Sequence, residues 1–572
     1  MLNHSVRLTI RALVLGLLLV PAAGAWAQTP TPTPVPEPSP TPVDEPRQPT
    51  FPTAQQTALP PLPDLTRVGI ISSNVLALSL NDTIRRALQN NNDIEVARDD
   101  VRVAEQRLRA LYGFYDPVFA VTPTIDQRIT PVTSIFQGGG TTGSVKNTTL
   151  SVSPALSKFF ETGGGRYELQ FNNNRTSTNA TNSTLNPFYS SNLTLLYTQP
   201  LLRNRAIDTQ RHAIRVQKKV LSQTDSDFRQ RTIAIIAQAQ AAYWNLVFAL
   251  RNQQNQLDSL NLARQNLRNI DAQISAGAKA PLDRAQVLTD IATREGALYQ
   301  AVQSVASAEN TLKQLILKDP TAGEWTAQLT PTDSPVLDFS PVDLKGSLDE
   351  AHRNRPELAR LSFQKEINTL DLQYFRNQAK PQIDLTGALI TTGLAGQNVL
   401  PPCPTAAACV PTKFIGGYGQ GVSNMFKFET REINVGVAIQ IPLRNRTAKA
   451  NVAAAEIQKE QLEATYRSQD QAIEMDVRNS AQSVDTAQKR VVAARLARES
   501  AEQQLAGEQK LYDVGRSTTF LLLQRQTELT TARTNELQAE TDYSKALADL
   551  QRATASTLRV NNVVVQPPVK TP

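Results

Sequence analysis

The chain of 572 residues is poor in the residue types that build reactive sites, with two cysteines and three histidines. The histidines (His4, His212 and His352) are scattered. The G-x-S-x-G, H-E-x-x-H, phosphate-loop and C-x-x-C motifs of common enzymes are missing. Past residue 27, no apolar stretch approaches the roughly 18–20 residues of a transmembrane helix. These absences argue against an enzyme and against a helical membrane protein.

The two cysteines, Cys403 and Cys409, lie close together in CPTAAAC. In an exported chain, this spacing predicts a small disulfide that closes a loop. A metal site is the alternative, but it needs further ligands. The formal net charge of +7 is spread among acids and bases. We therefore expect no cofactor, and no nucleic acid as a partner.

The N-terminus has the pattern of an export signal. Arg7 and Arg11 precede the apolar run 12–20, and Ala-Trp-Ala follows. This pattern predicts a signal peptide over residues 1–27, with cleavage between Ala27 and Gln28. A short N-terminal anchor is the alternative, but the run is too short to span a bilayer.

The rest of the chain contains an internal duplication. TIRRALQNNNDIEVA at Thr83–Ala97 matches SLDEAHRNRPELARL at Ser347–Leu361 at a constant offset. Further on, ISAGAKAPLDRAQ around Gly277 matches YDVGRSTTFLLLQ around Gly515. Because the order of the matches is preserved, the sequence predicts two copies of one structural unit.

Composition and the duplication together set the expected boundaries. Residues 28–66 are dense in proline, which predicts a disordered spacer because such a segment cannot build a core. The first repeat is predicted over 67–320 and the second over 346–557. An inter-repeat linker over 321–345 joins them, and 558–572 form a C-terminal tail.

Each copy is expected to open with a helix and continue in strands. The helices are predicted over Asn81–Tyr112 and Leu348–Asn377, the second with a capping box of Ser347 and Glu350. In EINVGVAIQIP, apolar and small or polar residues alternate with period two, and SNLTLLYTQP and PQIDLTGAL alternate similarly. This alternation suits a barrel wall between lipid and water. A soluble sandwich is the alternative that the strand pattern leaves open.

A very long helix follows the strands in each copy. Residues 206–276 contain no proline or glycine, and a 3-4 spacing of mostly apolar residues predicts a coiled coil. The seam consists of Ile236, Ala239, Tyr243, Leu246, Leu250, Gln253, Leu257, Leu260, Arg264, Leu267, Asp271 and Ile274. The second copy predicts a matching helix over 447–512. Gly277 and Gly515 are expected to end these helices in the left-handed conformation, before returning helices over 282–317 and 520–557.

The strand-to-helix junction is also written twice, as QPLLRNR at 199–205 and QIPLRNR at 440–446. Pro200 and Pro442 are predicted to end a strand, and Asn204 and Asn445 to cap the next helix. The flanking arginines oppose the helix dipole, so we expect the edge of a lipid bilayer to favour them. These arginines are Arg203, Arg205, Arg444 and Arg446.

The order of these features, with AYWNLVFA at Ala242–Ala249, resembles the bacterial outer-membrane efflux protein family of TolC-like channels. The resemblance covers roughly Leu78–Thr557. It implies a mainly α fold with a membrane β-barrel, built from a duplicated helix–strand–strand–long helix–helix repeat. In such a homotrimer, a 12-stranded barrel stands in outer-membrane lipid and a coiled-coil tunnel of α-helices crosses the periplasm.

The implied function is a passive exit channel of a tripartite efflux pump or a type I secretion system. The implied partners are a periplasmic adaptor protein and an inner-membrane transporter of the RND, ABC or MFS type. A secreted coiled-coil structural or adhesin-type envelope protein is the alternative. It fits the helices and the spacer, but it does not explain a strand pair in each repeat.

Two insertions depart from the family pattern. The first copy carries about 20 extra residues before Arg203. TTLSVSPALSKFFETGGGRYELQFNNN alternates and turns at Gly163–Gly165, which predicts an added hairpin either within or outside the barrel. In the second copy, GLAGQNVLPPCPTAAACVPTKFIGGYGQG predicts an exposed loop that holds the two cysteines.

The resemblance places a gate at the periplasmic turns. The first tip keeps the family's acid as Asp283, whereas Leu521 and Gln524 replace the acids of the second tip. We expect these two residues to narrow the pore, and Asp283 to hold the tips closed through Arg516 or Ser517. Without acidic rings, the mouth should bind multivalent cations less tightly. The alternative is that Leu521 only packs between helices.

Overall fold

The structure, a computed structural model, describes residues 65–400 and 410–564. All of them belong to the unit Pro61–Pro572. The signal peptide with Ala27 and Gln28, nearly all of the spacer, Cys403, Cys409 and the end of the tail lie outside the described residues. What the sequence predicts for those segments, including the disulfide, stays a prediction.

The first repeat opens with β1 (Ile71–Leu78), α1 (Leu80–Asn90) and α2 (Asn92–Tyr112). Four strands follow: β2 (Val118–Pro131), β3 (Ser144–Phe159), β4 (Arg166–Thr178) and β5 (Leu185–Pro200). The long helix α3 (Thr209–Ser275) and the returning helix α4 (Pro281–Ile316) complete the repeat. A short strand, β6 (Ala327–Pro331), lies in the predicted inter-repeat linker and pairs in parallel with β1.

The second repeat repeats this order with fewer strands. It opens with α5 (Leu344–Asn354) and α6 (Pro356–Gln378). Two strands, β7 (Gln382–Asn398) and β8 (Arg431–Gln440), flank the short helix α7 (Tyr418–Phe426). The long helix α8 (Arg446–Asp513), the returning helix α9 (Thr519–Ala553) and the short α10 (Thr557–Val560) follow. The expected combination of a mainly helical chain with an antiparallel sheet is confirmed.

Both opening helices are broken, at positions that the duplication offset makes equivalent. In the first repeat, the Asn91 side chain accepts hydrogen bonds from the backbone N–H groups of Asp93 and Ile94, at 3.0 and 3.3 Å. In the second, Pro356 is the first residue of α6, because proline has no N–H to continue the preceding helix. Two uninterrupted helices were therefore a wrong prediction.

The predicted capping box is also wrong, because α5 begins before it. The N-cap of α5 is Asp343, whose side chain accepts a hydrogen bond from the N–H of Gly346 at 3.1 Å. Ser347 therefore lies inside the helix. The carboxylate of Glu350 instead forms an ion pair with Arg559, at 2.6 Å.

The long helices have nearly the predicted bounds. Every position of the predicted seam in α3 is buried or partly buried, because α3 packs against α2, α4, α6 and α9. One window of 18 residues in α3 has a mean hydropathy of 1.5, enough for a membrane span by length and composition, but 67% of it is buried inside the protein. The prediction that no such stretch exists is wrong for α3, whose apolar residues serve the core.

The main core forms around the AYWNLVFA segment. Tyr243 and Leu246 have no exposed surface, and the Tyr243 hydroxyl donates to Oδ2 of Asp333 at 2.9 Å. Burial raises the pKa of the Tyr243 phenol to about 12. Beside this core, the fully buried Lys313 donates to the carbonyl oxygen of Ala327 at 2.6 Å. The segment between the repeats is thus fastened to the helices rather than loose.

The main sheet has six antiparallel strands in the order β2-β3-β4-β5-β7-β8. The added hairpin, β3–β4, lies within this sheet between β2 and β5. Four strands per chain, which a 12-stranded trimer requires, is therefore a wrong prediction. Each strand of the hairpin alternates polar and apolar residues, as its neighbours do, and so fits the sheet as an ordinary member.

The insertion of the second repeat is more ordered than predicted. Strand β7 continues to Asn398, and α7 packs on the sheet with Met425 fully buried. Glycines allow this close approach, because a Cβ at Gly393 would lie 2.0 Å from the carbonyl oxygen of Gly421. The prediction of an exposed loop is therefore wrong for these described parts.

Candidate functional site

One face of the main sheet is apolar. On the edge strand β8, Val435 and Ile439 are 76% and 63% exposed. The strand register places them on the same face as Leu385 of β7 and Leu195 of β5. Further members of this outer face are Phe119, Val121, Ile125, Leu150, Val152, Leu156, Leu169, Phe171, Leu193, Ile383, Leu389, Ile433 and Val437. An apolar patch of this extent marks a surface that contacts lipid or protein rather than water.

The opposite face is mostly polar and is called the inner face here. It includes Asn434 and Gln440 of β8, which alternate with the apolar residues of that strand. The register adds Thr122, Thr124, Asp126, Ser151, Ser153, Gln170, Asn172, Asn174, Asn192, Thr194, Thr386 and Gly436. Hydroxyl and amide side chains are hydrated readily, so this face is suited to line a water-filled channel.

The sheet is open at both ends. Every residue of β2 and of β8 is exposed, because each strand has a neighbour on one side only. Such edges present unpaired N–H and C=O groups that invite another strand. With six antiparallel strands, β2 and β8 run in opposite directions, so β8 of one copy can pair with β2 of the next in an antiparallel ladder.

Helix α7 covers part of the outer face. The hydroxyl of Thr391 donates to the carbonyl oxygen of Met425 at 2.7 Å, and Tyr418 donates to Oδ1 of Asn173 at 3.1 Å. The sheet residues beneath α7 are small or polar, namely Asn173, Ser191, Thr391, Gly393 and Ala395. Protein therefore covers the part of the outer face that is least suited to lipid.

The first junction differs from its prediction. Strand β5 ends at Pro200, but α3 begins only at Thr209, and Asp208 is the residue that caps it. Asn204 lies in the left-handed region with φ 65° and accepts a hydrogen bond from Gln378 at 2.7 Å. Arg203 also bonds to Gln378, at 2.7 Å. Asn204 therefore joins the junction to the end of α6, and Asp208 is the N-cap residue of α3.

In the second junction, the helix begins sooner after the strand than in the first. β8 ends at Gln440, two residues before Pro442, and α8 begins at Arg446 after Asn445. Asn445 is the N-cap residue, but its side chain makes no capping bond and donates to the carbonyl oxygen of Ala379 at 3.0 Å. Arg444 and Arg446 are exposed beside Leu443, which is 97% exposed. Exposed apolar and cationic side chains together are typical of a membrane interface.

The two helical tips have nearly identical backbones. Gly277 and Gly515 have φ values of 73° and 74°, in the left-handed region that favours glycine. In both turns, the N–H after the glycine bonds to a carbonyl oxygen five residues back, from Ala278 to Gln273 and from Arg516 to Leu511. This is the Schellman type of helix end.

The tip side chains are arranged differently from the predicted gate contacts. Ser517 donates to the carboxylate of Glu508, and Arg516 is exposed. Within the described residues of one chain, Asp283 contacts neither of them. Asp283 lies half-buried in the first turn of α4. A closing contact of Asp283 would therefore have to form between copies.

Leu521 and Gln524 lie on the open side of α9. Leu521 is 38% exposed, whereas its neighbours Leu522 and Leu523 are 4% and 9% exposed. Within one chain, the latter two pack between helices, and both interpretations of Leu521 stay predictions. Gln524 is exposed as well, and its amide donates to Glu528 at 3.0 Å.

The sequence of the second repeat matches a known protein family. Residues 348–556 match the family model of the outer membrane efflux protein. They form an outer membrane efflux protein domain. No curated protein matches the chain. The efflux protein family consists of transport proteins rather than enzymes, and among the described residues no cluster of His, Cys, Asp and Glu is placed to hold a metal ion.

Solved outer-membrane channels share the fold over most of this chain. A membrane protein from Pseudomonas aeruginosa is 18% identical, with a TM-score of 0.59 over 83% of this chain and 93% of that one. The outer-membrane channel OprN is 18% identical, with a TM-score of 0.58 over 85% and 94%. The Campylobacter jejuni CmeC outer membrane channel is 15% identical, with a TM-score of 0.57 over 84% and 89%. At these identities, the likeness establishes the fold.

The efflux protein domain also contains a partly buried ion cluster, centred on the buried Arg355, that the sequence analysis missed. Arg355, at the helix break, donates to the carbonyl oxygen of Ala553 at 2.7 Å and pairs with Glu357 and Asp476. Arg552 holds the same Asp476 at 3.1 Å. The available signal was the arginine directly before Pro356 in RNRPEL, which replaces the capping asparagine of the first repeat.

Proposed function

We propose that the protein is an outer-membrane exit channel. Three copies close into a ring, with the sheet as a barrel in lipid and the paired helices as a tunnel in the periplasm. The channel is passive, and it works with a periplasmic adaptor and an inner-membrane transporter in a tripartite efflux pump or a type I secretion system. The family of residues 348–556 and the shared fold support this role.

One observation carries the proposal: a six-stranded sheet with an exposed apolar outer face and two unpaired edges. In water this surface would aggregate, and in lipid an open edge would leave backbone groups without partners. Closure between copies satisfies the edges, and lipid covers the apolar face. A secreted coiled-coil structural protein would gain nothing from either feature.

The experiment places arginine on the two faces of one strand. Val435→Arg sets a charge on the outer face, which costs roughly 2–4 kcal/mol at mid-bilayer, whereas Asn434→Arg sets it on the inner face as the matched control. We expect Val435→Arg to lose most of the heat-modifiable trimer from the outer-membrane fraction. Asn434→Arg should keep the trimer and shift the ion selectivity of its channels in planar bilayers.

Two results would contradict the proposal. Equal tolerance of both arginines would mean that neither face meets lipid. A wild-type protein found as a soluble monomer without channel activity would favour the structural alternative.

A further inference from the structure

The β3–β4 hairpin separates β2 from β5 throughout the sheet. Strand β2 pairs with β3 from Val118↔Ser157 to Pro131↔Ser144. Strand β4 pairs with β5 from Arg166↔Thr198 to Thr176↔Phe188. Each ladder is antiparallel and spans nearly the whole strand. The hairpin is therefore part of the sheet and is not a flap beside it.

The turn of the hairpin is fixed to the first junction. The Gln199 side chain donates to the carbonyl oxygen of Gly163 at 2.8 Å. Gly164 approaches so closely that a Cβ there would lie 2.8 Å from the carbonyl oxygen of Asn204. Just before the turn, the ring of Phe159 packs on that of Phe114, with centroids 4.5 Å apart. These contacts hold the turn of the hairpin beside the start of β2 and the end of β5, which are the strand ends nearest the helices.

The hairpin meets the same two environments as the other strands. Its outer face carries Leu150, Val152, Leu156, Leu169 and Phe171, and its inner face carries Ser151, Ser153, Gln170, Asn172 and Asn174. A hairpin outside the wall would need no such agreement, because both of its faces would meet one solvent.

We propose that the hairpin is part of the transmembrane wall, so that three copies form an eighteen-stranded barrel. The inference rests on the proposed function. Barrel diameter grows in proportion to strand number, so the backbone diameter is about 36 Å, against about 24 Å for twelve strands of equal tilt. The barrel then admits bulky hydrophilic solutes, and selection by size falls to the helical tips.

The first test uses cysteine pairs within one chain, in a Cys403→Ser, Cys409→Ser background. Thr122→Cys with Ser153→Cys probes β2–β3, and Gln170→Cys with Thr194→Cys probes β4–β5, both at register partners on the inner face. Thr124→Cys with Thr194→Cys probes β2–β5. We expect the first two pairs to form disulfides in outer membranes and the third not to form one. A β2–β5 disulfide, or failure of all three pairs, would overturn the proposal.

The second test deletes residues 144–178, which lets β2 and β5 pair as antiparallel neighbours. Electron microscopy of the trimers should show a barrel diameter smaller by about one third. An unchanged diameter would overturn the proposal, and if the deletion variant does not fold, the cysteine pairs decide alone. A wild-type protein that does not trimerise defeats the proposed function, whereas conducting trimers with a β2–β5 disulfide defeat only this inference.

Discussion

The long helical hairpins of the two repeats are almost equal in length, with 67 and 36 residues in α3 and α4 and 68 and 35 in α8 and α9. The contributions of the two repeats to the main sheet differ, because the first repeat contributes four strands and the second contributes two. The hairpins pack side by side, so a change in the length of one would move its tip away from the other. A hairpin of two antiparallel strands begins and ends at the same edge of the sheet. It can therefore be added without moving the helices.

The two helix breaks show the same contrast on a smaller scale. The backbone breaks at equivalent positions, but a neutral cap, Asn91, serves the first repeat, and a buried cation, Arg355, serves the second. The shape of the break is shared, while the interactions that hold it differ. Mutations at equivalent positions show whether this shared geometry has the same energy in both repeats.

The largest difference is expected at the breaks. Arg355→Ala leaves the carbonyl oxygen of Ala553 unpaired and removes one partner of Asp476, which should cost about 3 kcal/mol of unfolding free energy. Asn91→Ala should cost about 1 kcal/mol, the usual value of a cap. Denaturant unfolding of the purified protein measures both. The exposed Arg353→Ala is the control and should change little, and equal costs at the two breaks would contradict this account.

One acidic residue in the second tip should make the charges of the two tips more alike. Leu521→Asp gives the second tip a carboxylate to match Asp283 of the first, and three copies would set three carboxylates around the mouth. Hard cations bind carboxylate oxygens, so we expect the half-blocking concentration of a trivalent cation to fall on the order of tenfold, or about 1.4 kcal/mol. Planar-bilayer recordings measure this block. Leu521→Asn is the uncharged control, and tight block of the wild-type channel would refute the prediction.

The turn glycines should be equivalent in energy. Alanine at Gly277 or Gly515 meets no atom within 4 Å, so its cost is that of the left-handed backbone, about 1 kcal/mol at each tip. Gly507→Ala is the control, because Gly507 lies inside α8 and alanine there should stabilise the helix by about 0.5–1 kcal/mol. Thermal unfolding compares the three variants. Clearly unequal costs at the tips would show that the turns are not energetically matched.

The smallest expected effect is the pH dependence of the stability that Asp476 contributes. Burial acts to raise the pKa of Asp476, but hydrogen bonds from Arg552 and Arg355 outweigh it and hold the pKa below its ordinary value of 3.8. A lowered pKa contributes stability that is present above the unfolded value and is lost as pH falls through the folded value. The cost of Asp476→Asn should therefore be constant at neutral pH and shrink below pH about 4. The cost of Asn91→Ala should not depend on pH in this way.

A cost of Asp476→Asn that already shrinks between pH 7 and pH 5 would contradict the assignment. Unfolding midpoints of the two variants and the wild type, measured from neutral pH to below pH about 4, provide the measurement.

Periodicity predicted the elements that depend on local pattern. The 3-4 spacing in α3, the alternation in β8 and the turn glycines gave bounds close to the observed ones. The hairpin was recognised from its alternation, but its place in the sheet depends on pairing with β2 and β5, which are distant in sequence. The same limit explains why the sequence predicts a helix cap at Asn204, since its observed partner Gln378 lies in the other repeat. The sequence does not reveal the role of Arg355, because its partners Asp476 and Ala553 lie on two helices that are distant in sequence, α8 and α9.

If three copies close into a ring, β2 of one copy pairs with β8 of the next. Each variant carries one cysteine on the inner face of β2, at Thr122 or Thr124, and one on the inner face of β8, at Asn434 or Gly436. These positions give a small set of β2–β8 pairs in the cysteine-free background. Oxidation in outer membranes should convert at least one pair into a covalent trimer that resists boiling and dissociates with reductant. Cross-links confined to single chains, with every pair leaving monomers, would show that the edges do not meet and would contradict the account.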